Sequence, residues 1–121
     1  MRCLAVCHTE LVVRLLDAVL RPTAELDLLL ESRTLAKRCQ AEGRTVTVAD
    51  PARLDAYVKA DLSPSTIVLI EDNGRPALRK VIEAVRLAGG TLVYVLGTSA
   101  AGLALPSIAL AQNQRTRCPV R

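Results

Sequence analysis

Apolar residues along this chain follow two rhythms. Short, nearly continuous apolar runs occur at Leu4–Val6, Leu26–Leu30, Ile67–Ile70 and Leu92–Leu96, and Thr45–Val48 is β-branched throughout. Between them, residues recur at helical spacing: Leu11, Val12, Leu15, Leu16, Val19 and Leu20, then Leu78, Val81, Ile82 and Val85. Runs of the first kind predict strands buried on both faces, and runs of the second kind predict amphipathic helices. The elements read in order as a strand over Met1–Cys7 and a helix over Glu10–Leu20, with Thr9 as its N-cap and Arg21-Pro22 as its stop. A strand over Leu26–Leu30 closes at Glu31, and a helix over Thr34–Ala41 ends at Glu42-Gly43. Thr45–Val48 forms a strand, and Asp50-Pro51 opens a short helix through Lys59. After a turn at Ser63–Ser65 come a strand over Thr66–Ile70, a helix over Arg75–Leu87 stopped by Gly89-Gly90, and a strand over Thr91–Leu96. Ala100–Gln114 reads either as a helix or as a bend followed by a sixth strand at Ser107–Leu110.

Strands alternating with helices predict an α/β fold with a parallel sheet covered on both faces. Right-handed crossovers then give a doubly wound, Rossmann-like three-layer sandwich of five to six strands in the order 3-2-1-4-5. The chain of 121 residues holds one such domain over 1–98. Residues 99–121 form an apolar arm and basic tail, a segment for dimerisation or a junction.

Composition narrows the function. With two Tyr, no Phe and no Trp, the core must be Leu, Val, Ile and Ala, and the aromatic platforms of single-strand nucleic-acid binders are missing. The formal charge is +4, and part of the excess lies in the tail at Arg115, Arg117 and Arg121. No nucleic-acid partner is expected. Leu87–Gln114 carries no charged residue, but Gly89, Gly90, Gly97, Gly102 and Pro106 interrupt it, so direct membrane insertion is not expected. Cys3, Cys7, Cys39 and Cys118 form no C-x-x-C pair, and Cys3-x-x-x-Cys7-His8 lacks a second ligand pair. Buried structural thiols, no metal site and a reducing cytoplasm are the expectation.

In such sheets ligands bind outside the carboxyl ends of the strands, where the strand order reverses. The turn after the first strand is Cys7-His8-Thr9-Glu10, where a dinucleotide site needs G-x-G-x-x-G so that backbone can approach the pyrophosphate. The first glycine of the chain is Gly43. Side chains would crowd a phosphate there, and Glu10 would repel it. The candidate cofactor-binding residues are His8 and Thr9 in this turn, Glu31 ending the second strand at the place of a ribose-binding acid, Asp50 after the third, and Asp72 after the fourth. Asp50 also reads as a helix cap, and the Glu71-Asp72 pair as a polar strand end.

These marks together resemble the TrkA-N, or RCK N-terminal, regulatory domain of potassium channels and transporters, over about Arg2–Thr98. The resemblance rests on Glu31, on Val46-Thr47-Val48-Ala49-Asp50-Pro51-Ala52-Arg53-Leu54, and on Ile70-Glu71-Asp72-Asn73 before a long helix. It implies a dimerising Rossmann sheet that binds NAD or an adenine nucleotide and controls a membrane transporter; related modules also precede phosphoesterase domains, a linked enzyme. Glu31, Asp50 and Asp72 carry over as ligand contacts, whereas the glycine fingerprint is absent and Ala49 replaces a family glycine. A degenerate member with weakened or lost dinucleotide binding is therefore expected. The alternatives are a ligand-free dimerisation or docking scaffold, with Gly102–Ala111 as the apolar contact, and a receiver-like signalling domain, for which only Asp50 fits. Catalysis by this domain alone is not expected, because the one histidine, His8, adjoins Cys7 on extended chain and cannot readily pair with it.

Overall fold

Alternation along each strand sends side chains to two separate cores, and that division builds the three layers. The computed structural model describes residues 1–72, 74, 77–98 and 106–110, and only the backbone of Thr98 and 106–110. The elements are β1 (Arg2–Cys7), α1 (Glu10–Leu20), β2 (Glu25–Leu30), α2 (Arg33–Ala41), β3 (Thr45–Val48), α3 (Leu54–Val58), β4 (Ile67–Glu71), α4 (Leu78–Leu87), β5 (Leu92–Thr98) and β6 (Pro106–Leu110). One sheet holds them in the order β3-β2-β1-β4-β5-β6. The first five strands are parallel, and β6 runs antiparallel to β5 with Leu96 opposite Ile108. The Rossmann-like order 3-2-1-4-5 read from the sequence is thus the one observed. A sixth strand is observed at Pro106–Leu110, where the sequence offered one at Ser107–Leu110; the expected bend before it, Cys118 and the tail arginines lie outside the described residues.

Leu4 and Val6 of β1, Leu29 of β2, Val68 and Ile70 of β4, and Val93 and Val95 of β5 pack against Tyr57 of α3 and Val81, Ala84 and Val85 of α4. The intervening residues Ala5, Cys7, Leu28, Leu30, Leu69 and Leu96 face Val12, Val13 and Leu16 of α1 and Leu35, Ala36 and Cys39 of α2. Cys3, Cys7 and Cys39 are free thiols and buried, in line with the reading of the cysteines as structural thiols. Among the described residues no helix is long and apolar enough to cross a membrane, and β5 and β6 both fall in the charge-free stretch.

Three local readings need correction. Asp50-Pro51 does not open a helix: α3 starts at Leu54, with Arg53 at its N-cap. The Asp50 carboxylate instead accepts the Ala52 N–H (3.0 Å) and shapes a turn, and the Tyr57 hydroxyl, fully buried, donates to the Pro51 carbonyl. The fourth helix runs from Leu78, while Arg75 lies outside the described residues. Within α1, Leu11 and Val19 face solvent at 53% and 62% exposure, and Val13 takes the core place instead.

Candidate functional site

β1 and β4 are neighbours in the sheet centre, and the chain leaves them in opposite directions toward the sheet edges. The crevice at their carboxyl ends is the switch point where this fold binds ligands. α1 begins there. Its N-cap Thr9 has extended backbone, and Thr9 Oγ1 accepts the Val12 N–H (3.4 Å).

A carboxylate of the same chain already fills the space in front of this helix. Glu71, the last residue of β4, is 5% exposed. Its Oε1 accepts the backbone N–H of His8 (2.8 Å) and of Thr9 (3.1 Å), and its Oε2 accepts the Thr9 hydroxyl (3.0 Å). Two successive N–H groups converging on one oxygen at a helix N-terminus are how such turns hold an anion. Burying a carboxylate is costly unless hydrogen bonds and an opposite field offset the lost hydration. Here three donors and the α1 dipole supply both.

The neighbouring cavity is about 90 Å³. His8, Glu31, Asp50 and Glu71 line its polar side, and Pro51, Ile70, Leu78 and Val81 line its apolar side. Pockets that enclose drug-sized ligands run from about 300 Å³ upward, so the space bounded by the described residues is small for a nucleoside. Of the five residues singled out from the sequence, His8, Glu31 and Asp50 meet at the cavity. Thr9 is committed to Glu71. Asp72 is not among the cavity residues: its carboxylate accepts the Gly74 N–H (2.8 Å), and its own N–H donates to the Leu96 carbonyl (2.8 Å). The acid that matters at the end of β4 is Glu71, one residue earlier. Strand parity could have found it, because Glu71 falls on the face of Ile67 and Leu69, which is the α1 face.

Glu10, read from the sequence as a repelling charge, is neutralised in part. Its two oxygens pair with Arg14 and Arg38 at 3.4 Å each. These are exposed pairs of small energetic weight. Cys7 sits directly behind the turn. Its thiol pKa is pushed far up, first by burial, then by the Glu71 charge and by Cys39. A thiol held protonated in this way is a poor nucleophile.

Comparisons with protein-family models, with curated proteins and with solved structures give no match. The reading of the site rests on its geometry.

Proposed function

We propose that this domain is a regulatory module of the TrkA-N/RCK kind whose dinucleotide site has been given up, and that it acts by docking to a transporter or a linked enzyme. One observation carries the reading: the Glu71 carboxylate occupies the N–H groups of His8 and Thr9 that a pyrophosphate would need. A phosphate entering beside it would face a buried like charge. The cavity of about 90 Å³ and the Cys7-His8-Thr9-Glu10 turn, without a glycine, point the same way. Catalysis finds no support in Cys7, whose thiol is buried and held protonated.

The receiver alternative is disfavoured by topology. Receivers use the order 2-1-3-4-5, which places the third strand inside the sheet. Here β3 is the edge strand, so Asp50 lies at the sheet margin.

Thermal melting and calorimetric titration of the wild-type protein with NAD, NADH, ATP, ADP and AMP test this function. No melting shift and no saturable heat is the expected result. A ligand at a hundredfold its Kd would add about 2.7 kcal/mol of stability, which melting detects. Saturable binding of any of these nucleotides, abolished by Glu31→Ala or Asp50→Ala, overturns the loss of the site. Light scattering at high protein concentration tests the homodimer expected of such a module; a monomer would leave docking to other chains as its mode of action.

A further inference from the structure

We propose that the free edge of β3 is a self-association surface. Two copies of this chain join there, antiparallel and across a twofold axis at Thr47, into one continuous sheet. The proposal goes beyond the reading above and stands whether or not the crevice at the switch point takes a nucleotide.

Three observations carry it. First, the edge is open and unguarded. β3 ends the sheet on its side, and Thr45, Thr47 and Val48 are exposed, Val48 to 44%. Edge strands are commonly kept single by a charged residue or a proline. Thr45-Val46-Thr47-Val48 has neither, and every residue is β-branched, the type that suits a paired strand. Second, the backbone fits itself. The Ala49 N–H donates to the Leu30 carbonyl, so Ala49, Thr47 and Thr45 turn their peptide groups toward β2. Peptide groups alternate along a strand, which leaves the N–H and C=O groups of Val46 and Val48 directed outward. With Thr47 opposite Thr47 of the second copy, Val46 of each copy faces Val48 of the other, and such a pair exchanges both of its hydrogen bonds. The outward groups of the strand are then satisfied. A threonine pair on the axis is itself a favourable cross-strand contact.

Third, the charges suit a second copy. Asp50, Arg53, Asp55 and Lys59 line the groove between β3 and α3 beside Thr47 and Val48. Acid and base alternate along this rim and balance. A twofold axis reverses one rim against the other and sets acid toward base. The same register places Arg44 opposite Asp50 of the second copy. A strand from an unrelated protein would need no such symmetry. Because both copies use the same edge and β6 takes no part, association closes at two. β3 has four residues, so the contact is small. A weak dimer is expected, with a Kd on the order of 0.1 mM.

The experiment is sedimentation of the intact chain from about tenfold below to about tenfold above that Kd, where a monomer should convert to a dimer. Thr47→Lys opposes two ammonium groups on the axis and should weaken association by about tenfold or more. A second readout uses a Cys118→Ser background and mild air oxidation with copper phenanthroline. Cα atoms of a non-hydrogen-bonded antiparallel pair stand about 4.5 Å apart, within reach of a disulfide, so Thr47→Cys should form covalent dimers. Thr45→Cys, two residues from the axis, should not. These crosslinks decide the matter even where Thr47→Lys fails to fold. A monomer across the whole range, association that a folded Thr47→Lys leaves unchanged, or crosslinking of Thr45→Cys in preference to Thr47→Cys each overturns the proposal. A monomer would leave the reading of the lost nucleotide site standing, whereas nucleotide binding by the wild type would sink that reading without touching this one.

Discussion

The contact between Thr9 and Glu71 can be weighed by a double-mutant cycle. Thr9→Ala removes two bonds at once: the cap to the Val12 N–H and the hydroxyl donated to Glu71 Oε2. Losing a threonine N-cap costs about 0.5–2 kcal/mol. A bond to a charged acceptor adds about 1.5 kcal/mol. Thr9→Ala should therefore cost about 2–3 kcal/mol. Glu71→Gln keeps the shape and leaves an oxygen for the N–H groups of His8 and Thr9, but it removes the charge that strengthens all three bonds and that the α1 dipole favours. A cost of about 1–2 kcal/mol is expected. If the hydroxyl reaches the carboxylate as the 3.0 Å separation indicates, the two losses overlap. The double variant should then be less destabilised than the sum by about 1 kcal/mol. Urea unfolding of the four proteins at pH 7 gives the cycle, provided the m-value is constant across the set. A coupling below about 0.3 kcal/mol, the scatter of independent sites, would refute a carboxylate seated on this helix.

Two further outcomes follow from the packing. Gly90→Ala should be strongly destabilising, by about 1–3 kcal/mol, because its Cβ would lie 2.5 Å from Val85 Cγ1 and 3.0 Å from the Val85 carbonyl oxygen in the α4-facing core; a urea midpoint equal to wild type would contradict the close approach. Stability should also fall in alkali. The Cys7 thiol is raised above its ordinary 9.0, by burial and then by Glu71 and Cys39, and the Tyr57 phenol is raised above its ordinary 10.0, by burial and then by Asp50. The unfolded chain therefore loses these protons first. Their contribution is complete below about pH 9 and is lost as pH rises, with a slope near 1.4 kcal/mol per pH unit for each group that titrates. Urea midpoints of a Cys118→Ser variant that stay flat between about pH 8.5 and 10.5 would contradict both burials.

The sheet was legible because its central strands are apolar for both faces: Leu28 and Leu30 bury in the core under α1 and α2, and Leu29 in the core under α3 and α4, whereas the edge strand β3 is largely exposed. The strand order followed from the alternation of elements and the handedness of crossovers, neither of which depends on side-chain detail. Local punctuation was harder. Asp50-Pro51 carries the signature of a helix start, yet the bonds Ala52 N–H to Asp50 and Tyr57 hydroxyl to Pro51 close a turn first, and Tyr57 is seven residues beyond Asp50. The start of α2, read from the sequence at Thr34, lies at Arg33, and Ser32 caps it through the Leu35 N–H.

The end of β4 is the place where sequence reading and structure part most clearly, for a physical reason. Two adjacent acids, Glu71 and Asp72, look equivalent in a list of residues. On a pleated strand they are opposites, because one residue of displacement changes the face. Glu71 continues the parity of Ile67 and Leu69 toward α1, and its Leu96 partner in β5 holds it in the ladder. Asp72 leaves the strand after one last bond to Leu96 and turns to its own Gly74 N–H. Glutamate also has one methylene more than aspartate, and a carboxylate at the end of β4 uses that length to reach the turn after β1. Glu71→Asp therefore separates charge from reach. Keeping the charge while shortening the arm should lose the bonds to His8 and Thr9 and destabilise at least as much as Glu71→Gln, which keeps the reach and gives up the charge. The reverse ranking in urea would mean that negative charge near α1, rather than direct occupation of its N–H groups, is what the fold requires of this residue.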